Sequence, residues 1–148
     1  MINFDAQKRF IDLATGKNGV SYEGTTLHGE TPDYLFDTLA GGKIDDGDME
    51  KIPIDGRFGM PPLRPGVLYM RNDGSGQIGS EFILAFQSTP FFRNHHVAIG
   101  LFAFKYYDDP PEAGRQTYVN GEDVLNYFKH KLEGPNAKLL TITGCGTL

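Results

Sequence analysis

A chain of 148 residues with a formal charge of −5 and no clustered Lys or Arg lacks the basic footprint of a nucleic-acid-binding protein. Its one cysteine, Cys145, excludes an intrachain disulfide and a cysteine-based metal centre. Ordinary apolar and charged fractions argue for one globular domain over 1–148, and no apolar run nears the roughly 18 residues of a membrane helix.

The opening Met-Ile-Asn-Phe-Asp lacks the basic and apolar regions of a signal peptide. With a single thiol, this predicts a cytoplasmic location, or a place in a particle such as a virion assembled there.

The first predicted element is a helix from Asn3 to Gly16. Asn3 or Asp5 can cap it, and Gly16 can stop it. Ala6, Phe10, Leu13 and Ala14 share one face, which leaves Lys8, Arg9 and Asp12 toward water. Lys17-Asn18-Gly19 reads as a turn, and Val20–Leu27 as a short strand.

A second, short helix is expected near 31–40. Thr31 would cap it, and Pro32 needs no N–H partner there. Leu35, Phe36 and Leu39 would form its apolar face, and Gly41-Gly42 would end it.

Residues 43–66 are rich in Asp, Gly and Pro and show no regular period. A loop this long is usually functional. It reads as an extended arm or surface loop, with Ile52-Pro53-Ile54 as a short edge strand. Ile52, Ile54, Phe58, Met60 and Leu63 are its candidate interface residues.

Val67–Met70 and the segment after Gln77 flank Asn72-Asp73-Gly74-Ser75-Gly76, a strong hairpin signal. Phe82–Phe86 is apolar throughout, which predicts a strand covered on both faces. Val97–Tyr107 is a second continuous run, to be buried or paired, and Gly100 marks a bulge or a close backbone approach within it. Gln116–Val119 reads as a short strand and 120–132 as a helix, capped by Asn120 and ended by Gly134-Pro135. Leu139–Thr143 reads as a closing strand. The predicted class is α+β and predominantly β: an antiparallel sheet, sandwich or barrel-like core with these helices.

Few residues suggest chemistry. His95 and His96 are adjacent, so on a strand they point to opposite faces and cannot easily share a metal. One packed under a loop and one at the surface is the simpler reading. A pH-sensitive or catalytic role would need a carboxylate beside one of them. Asp45, Asp46, Asp48 and Glu50 lack the spacing of an EF-hand and read as a solvated turn. Cys145 lies between two glycines without a nucleophile signature and reads as a small residue near the C-terminus. Glycine spacings fit neither a dinucleotide nor a P-loop motif, so no cofactor is expected.

Two resemblances bear on function. Tyr22-Glu23-Gly24-Thr25-Thr26, Thr31 to Phe36, Gly41-Gly42 and Ser88-Thr89 resemble the opening of bacterial ADP-ribosyltransferase toxins. Glu23 stands where that family has its NAD-binding Arg, and no paired Glu motif follows Ser88. The run AIGLFAF, the acidic loop after it and TYVNGEDVL are similar to the closing strands of phage capsid decoration proteins. That likeness implies a small β-rich protein without an active site.

The function expected from the sequence is therefore structural: a non-catalytic assembly protein, plausibly a virus or phage particle component. Its partners would be copies of itself or other particle subunits, with neither nucleic acid nor membrane. The alternatives are a small toxin-like enzyme, or an acidic inhibitor or immunity protein using segments 45–50 and 108–112.

Overall fold

The computed structural model describes residues 3–29, 38–44, 50–53, 66–72, 75–85, 96–101, 104–106, 117–119 and 140–147. Helix α1 spans Phe4–Thr15. The Asn3 side chain accepts from the Ala6 N–H at 3.0 Å, so Asn3 rather than Asp5 is the cap. At the other end Gly16 adopts φ 67°, where a Cβ would be strained, and its N–H donates to the Asp12 carbonyl. The predicted face holds: Ala6 and Leu13 are buried, with Phe10 and Ala14 packed against the same core.

Nine strands follow among the described residues: β1 (Thr26–Gly29), β2 (Thr38–Gly41), β3 (Ile52–Pro53), β4 (Val67–Asn72), β5 (Gln77–Ala85), β6 (Val97–Leu101), β7 (Phe104–Tyr106), β8 (Thr117–Val119) and β9 (Leu140–Thr141). Seven of them form one antiparallel sheet in the order β6-β4-β5-β2-β1-β9, with β3 also paired to β5. β7 and β8 form a separate antiparallel pair. The α+β, mostly β architecture expected from the sequence is the one observed.

β5 is the hub. One edge pairs with β4; the other meets β2 along its C-terminal half and β3 at its start. Alternation along β5 divides the core in two. Ile78, Phe82 and Leu84 join α1 in the larger cluster, while Ile83 and Ala85 join Ala40 and Tyr69 in a second. The expected two-sided cover of Phe82–Ala85 is thus observed, whereas Phe86 lies outside the described residues.

Under α1, three rings meet edge to face or tilted. Tyr22 lies 5.3 Å from Phe10 and 5.1 Å from Phe82, and Phe10 lies 5.5 Å from Phe82. The buried Tyr22 hydroxyl donates to the Ser80 carbonyl at 2.7 Å. Burial pushes this phenol far above its ordinary value, so it stays neutral. Gly42 underlies the stack at φ 74°; a Cβ there would sit 2.6 Å from Tyr22 Cε1 and 2.7 Å from Phe82 Cε1.

The structure corrects three local expectations. Residues 38–40, placed in the second helix, form β2 with Gly41, between β1 and β5. Leu39 and Ala40 are buried in different clusters, so this segment is covered on both faces and cannot be a one-faced surface helix. The run from Val97 is not one covered strand: β6 and β7 belong to different sheets, and Leu101 is 81% exposed. The strand read at Val20–Leu27 starts only at Thr26, because Tyr22 turns the chain back, its carbonyl accepting from the Thr25 N–H.

The bulge expected near Gly100 is present: Leu68 faces Gly100 while Tyr69 faces Ala98, leaving Ile99 unmatched. Its carbonyl accepts from the Gln7 side chain at 2.9 Å, and that of Ala98 from the Asn3 N–H at 3.0 Å, so α1 covers β6. The helix predicted at 120–132 lies outside the described residues. No described helix is long and apolar enough to cross a membrane.

Candidate functional site

The face of α1 turned away from the rings borders a cleft. β3 and the residues before it form the opposite wall, and the cavity between them measures about 420 Å³. Asp5, Lys8, Arg9 and Asp12 line it from the helix, Asn18 from the following turn, and Glu50, Lys51, Ile52 and Pro53 from the strand side. Spacing explains the helical set, because residues three and four apart share one helix surface.

Two interactions fix the geometry. Lys8 Nζ lies 2.7 Å from Asp12 Oδ2, with Lys17 Nζ 4.0 Å from the other oxygen. The Lys8 hydrogen bond, followed by the positive charges of Lys8, Lys17 and Arg9, holds the Asp12 carboxyl below its usual range. Arg9 Nη2 donates to the Glu50 carbonyl and so ties α1 to the start of β3. Arg9 Nη1 is buried and has no hydrogen-bond acceptor among the described residues.

A second cavity, about 60 Å³, lies on the other side of Lys51. It is made by an irregularity of the sheet. Met70 faces Phe82, yet Asn72 faces Ile78, so Arg71 stands against Gly79, Ser80 and Glu81. Lys43 and Ile44 close it, with the Ile44 N–H donating to Ser80 Oγ at 3.1 Å. It has room for little more than a water molecule or two, at about 30 Å³ each.

The residues singled out from the sequence are not brought together. His96 is buried just before β6 and lines neither cavity. Cys145 is exposed. No cluster of His, Cys, Asp and Glu that could hold a metal occurs among the described residues. Ile52 packs against the larger core cluster and walls the cleft, and Ile44 joins that core too, so these parts of 43–66 lie on the body. His95, Ile54, Phe58, Met60, Leu63 and Asp45–Met49 lie outside the described residues. Sequence reasoning missed Arg9, which the helical pattern assigns to water. Only the tertiary approach of Glu50 shows otherwise.

Comparison with known proteins decides the fold. The crystal structure of the Mimivirus cyclophilin superposes with a TM-score of 0.58 at 18% identity, over 96% of this chain and 74% of that one. The fold is that of a cyclophilin.

Sequence relatives agree. "Probable inactive peptidyl-prolyl cis-trans isomerase-like 6" of Homo sapiens is 34% identical over 104 residues, 63% of this chain. Its Bos taurus counterpart is 33% identical over 134 residues, 82% of this chain. "Peptidyl-prolyl cis-trans isomerase" of Encephalitozoon cuniculi (strain GB-M1) is 31% identical over 63% of this chain. The chain spans 33%, 38% and 56% of the length of these three relatives. No protein-family profile matches it.

These findings overturn the structural reading of the sequence. The chain resembles isomerase-type proteins and not a virion, capsid decoration or assembly component. The strand run that carried the decoration-protein likeness is divided between two sheets. The toxin-like and inhibitor readings give way to the same finding. Tyr22, in the segment likened to the opening of those toxins, is 2% exposed and serves the core.

Proposed function

We propose that the chain is a cyclophilin-type domain that binds proline-containing peptide segments with little or no isomerase turnover. Its fold supports the first half of this reading. The observation that carries the second half is the 33–35% identity to mammalian relatives whose names call them inactive.

The physical demand on an active enzyme is large. Rotating a peptide bond means overcoming a barrier of about 18–20 kcal/mol set by its partial double bond. Binding a proline ring requires only a complementary surface; lowering that barrier requires donors aligned on the rotating amide. A domain can therefore keep the first capacity without the second. The alternative, an active isomerase, is favoured by the Encephalitozoon cuniculi relative.

Exchange NMR on a short peptide with an Ala-Pro bond tests both halves. The expected result is saturable shifts of protein amides with kcat/KM below about 10⁴ M⁻¹ s⁻¹, the foot of the ordinary enzyme range. Turnover above that value establishes the active isomerase instead. Absence of any protein shift at millimolar peptide removes proline recognition altogether.

A further inference from the structure

Lys17-Asn18-Gly19 joins α1 to the stretch that carries Tyr22, and no role argued so far uses it. We propose that Asn18 is a site of spontaneous deamidation, a modification that adds negative charge to the cleft between α1 and β3. Asn is a thermolabile residue, most of all before Gly, where no side chain shields the next backbone nitrogen. The reaction needs a carboxamide free to turn onto that nitrogen and room for it to do so. Asn18 and Gly19 are both exposed. The Asn18 carboxamide makes no hydrogen bond among the described residues. A Cβ built on Gly19 would meet nothing within 4 Å, so the turn is open on that side.

One bond stands in the way. The Gly19 N–H donates to the Gly16 carbonyl at 3.0 Å. It closes a short turn in which Lys17, Asn18 and Gly19 all face solvent, and such bonds open locally at little cost. The bond therefore slows the reaction without preventing it. Once it opens, hydroxide takes the Gly19 amide proton and the nitrogen bonds to Asn18 Cγ. The Cγ–Nδ2 bond breaks, and the side-chain nitrogen takes a proton from water and leaves as ammonia. A cyclic imide remains. Water then opens it on one of two sides: at Cγ, which gives Asp, or at the main-chain carbonyl, which gives isoaspartate. Only hydroxide and water are consumed.

The position gives the change its meaning. Asn18 lines the cleft with three cations, Lys8, Arg9 and Lys51, and three anions, Asp5, Asp12 and Glu50. A carboxylate at 18 puts the anions in the majority. It also follows Lys17, whose Nζ lies 4.0 Å from Asp12 Oδ1, and competes for that ammonium. Isoaspartate adds a backbone carbon as well. That lengthens the turn through which the Tyr22 N–H returns to the Leu13 carbonyl.

A second Asn-Gly, Asn120-Gly121, lies outside the described residues, so the test reads each site by peptide mapping. The full chain is held for days in warm buffer, mildly acidic or mildly alkaline, and then digested for mass spectrometry. The peptide with residue 18 is expected to gain the mass of an amide-to-acid exchange and to split into Asp and isoaspartate forms, faster in alkali. On anion exchange the converted chain should elute with Asn18→Asp, and Asn18→Gln should lose that component. The chain unfolded in urea should convert faster than the folded one. Residue 18 unchanged in the folded chain while the unfolded chain converts would overturn the proposal. So would conversion at 18 indifferent to pH, or a charge shift that survives whole in Asn18→Gln. No step rests on the prolyl-peptide reading, and neither result bears on it.

Discussion

One side of α1 sends Phe10 into the rings of Tyr22 and Phe82, and the other sends Lys8, Arg9 and Asp12 toward a cavity. The two sides are built on the same twelve residues. On the first, rings pack on rings and the Tyr22 hydroxyl is satisfied by the Ser80 carbonyl. On the second, ion pairs sit at the rim and a guanidinium is left partly unmet. The first side should set the stability of the domain and the second should be nearly free to change. Apolar packing and surface charge are thus segregated on the two sides of one helix.

Three substitutions probe this division. Phe82→Ala removes a ring from the stack and leaves a void between α1 and the sheet. It should cost about 3–5 kcal/mol, read from the midpoint of urea unfolding. A loss below about 1 kcal/mol would mean that the stack does not hold α1 down.

Tyr22→Phe keeps the ring but deprives the Ser80 carbonyl of its donor, which should cost about 1–2 kcal/mol. It should also change the pH response. The folded phenol titrates above its ordinary value of 10.0. The unfolded chain therefore loses this proton first, so the contribution is complete below pH 10 and declines as pH rises past it. The wild type should lose stability more steeply than Tyr22→Phe above pH 10. Parallel curves would show that Tyr22 is not sealed.

The smallest effect is expected at Lys8, whose side chain is 68% exposed beside Asp12. Lys8→Ala should leave the unfolding midpoint unresolved from wild type, because exposed pairs of this kind contribute little. A clear loss would show that the open side also carries stability.

Elements governed by local chemistry were legible in the sequence. Asn3 and Gly16 bound α1 as expected, and β4 and β5 pair antiparallel on either side of the hairpin signal. Asn72 Oδ1 accepts from the Gly76 N–H at 3.2 Å, a local bond between residues of that signal. Thr38–Gly41 was not legible. Its residues fit the end of a helix, and only pairing with β1 and β5 makes them a strand. The same holds for the break after Leu101, since a continuous apolar run does not say where one sheet stops. The cleft was the least visible. Arg9 and Glu50 are far apart in sequence, and no periodicity links a helix surface to a backbone carbonyl beyond a loop.

The central position of β5 has a consequence for biosynthesis. β1 and β2 leave the ribosome well before β5, so Leu39 and Ala40 wait for Leu84 and Ile83. The far edge is completed only when Leu140 and Thr141 return to Leu27 and Thr26 near the start of the chain. Partners so distant along the chain make for slow folding and expose unpaired edges in the interim. Until β9 has followed, the partly made sheet is therefore open to misassociation along β1.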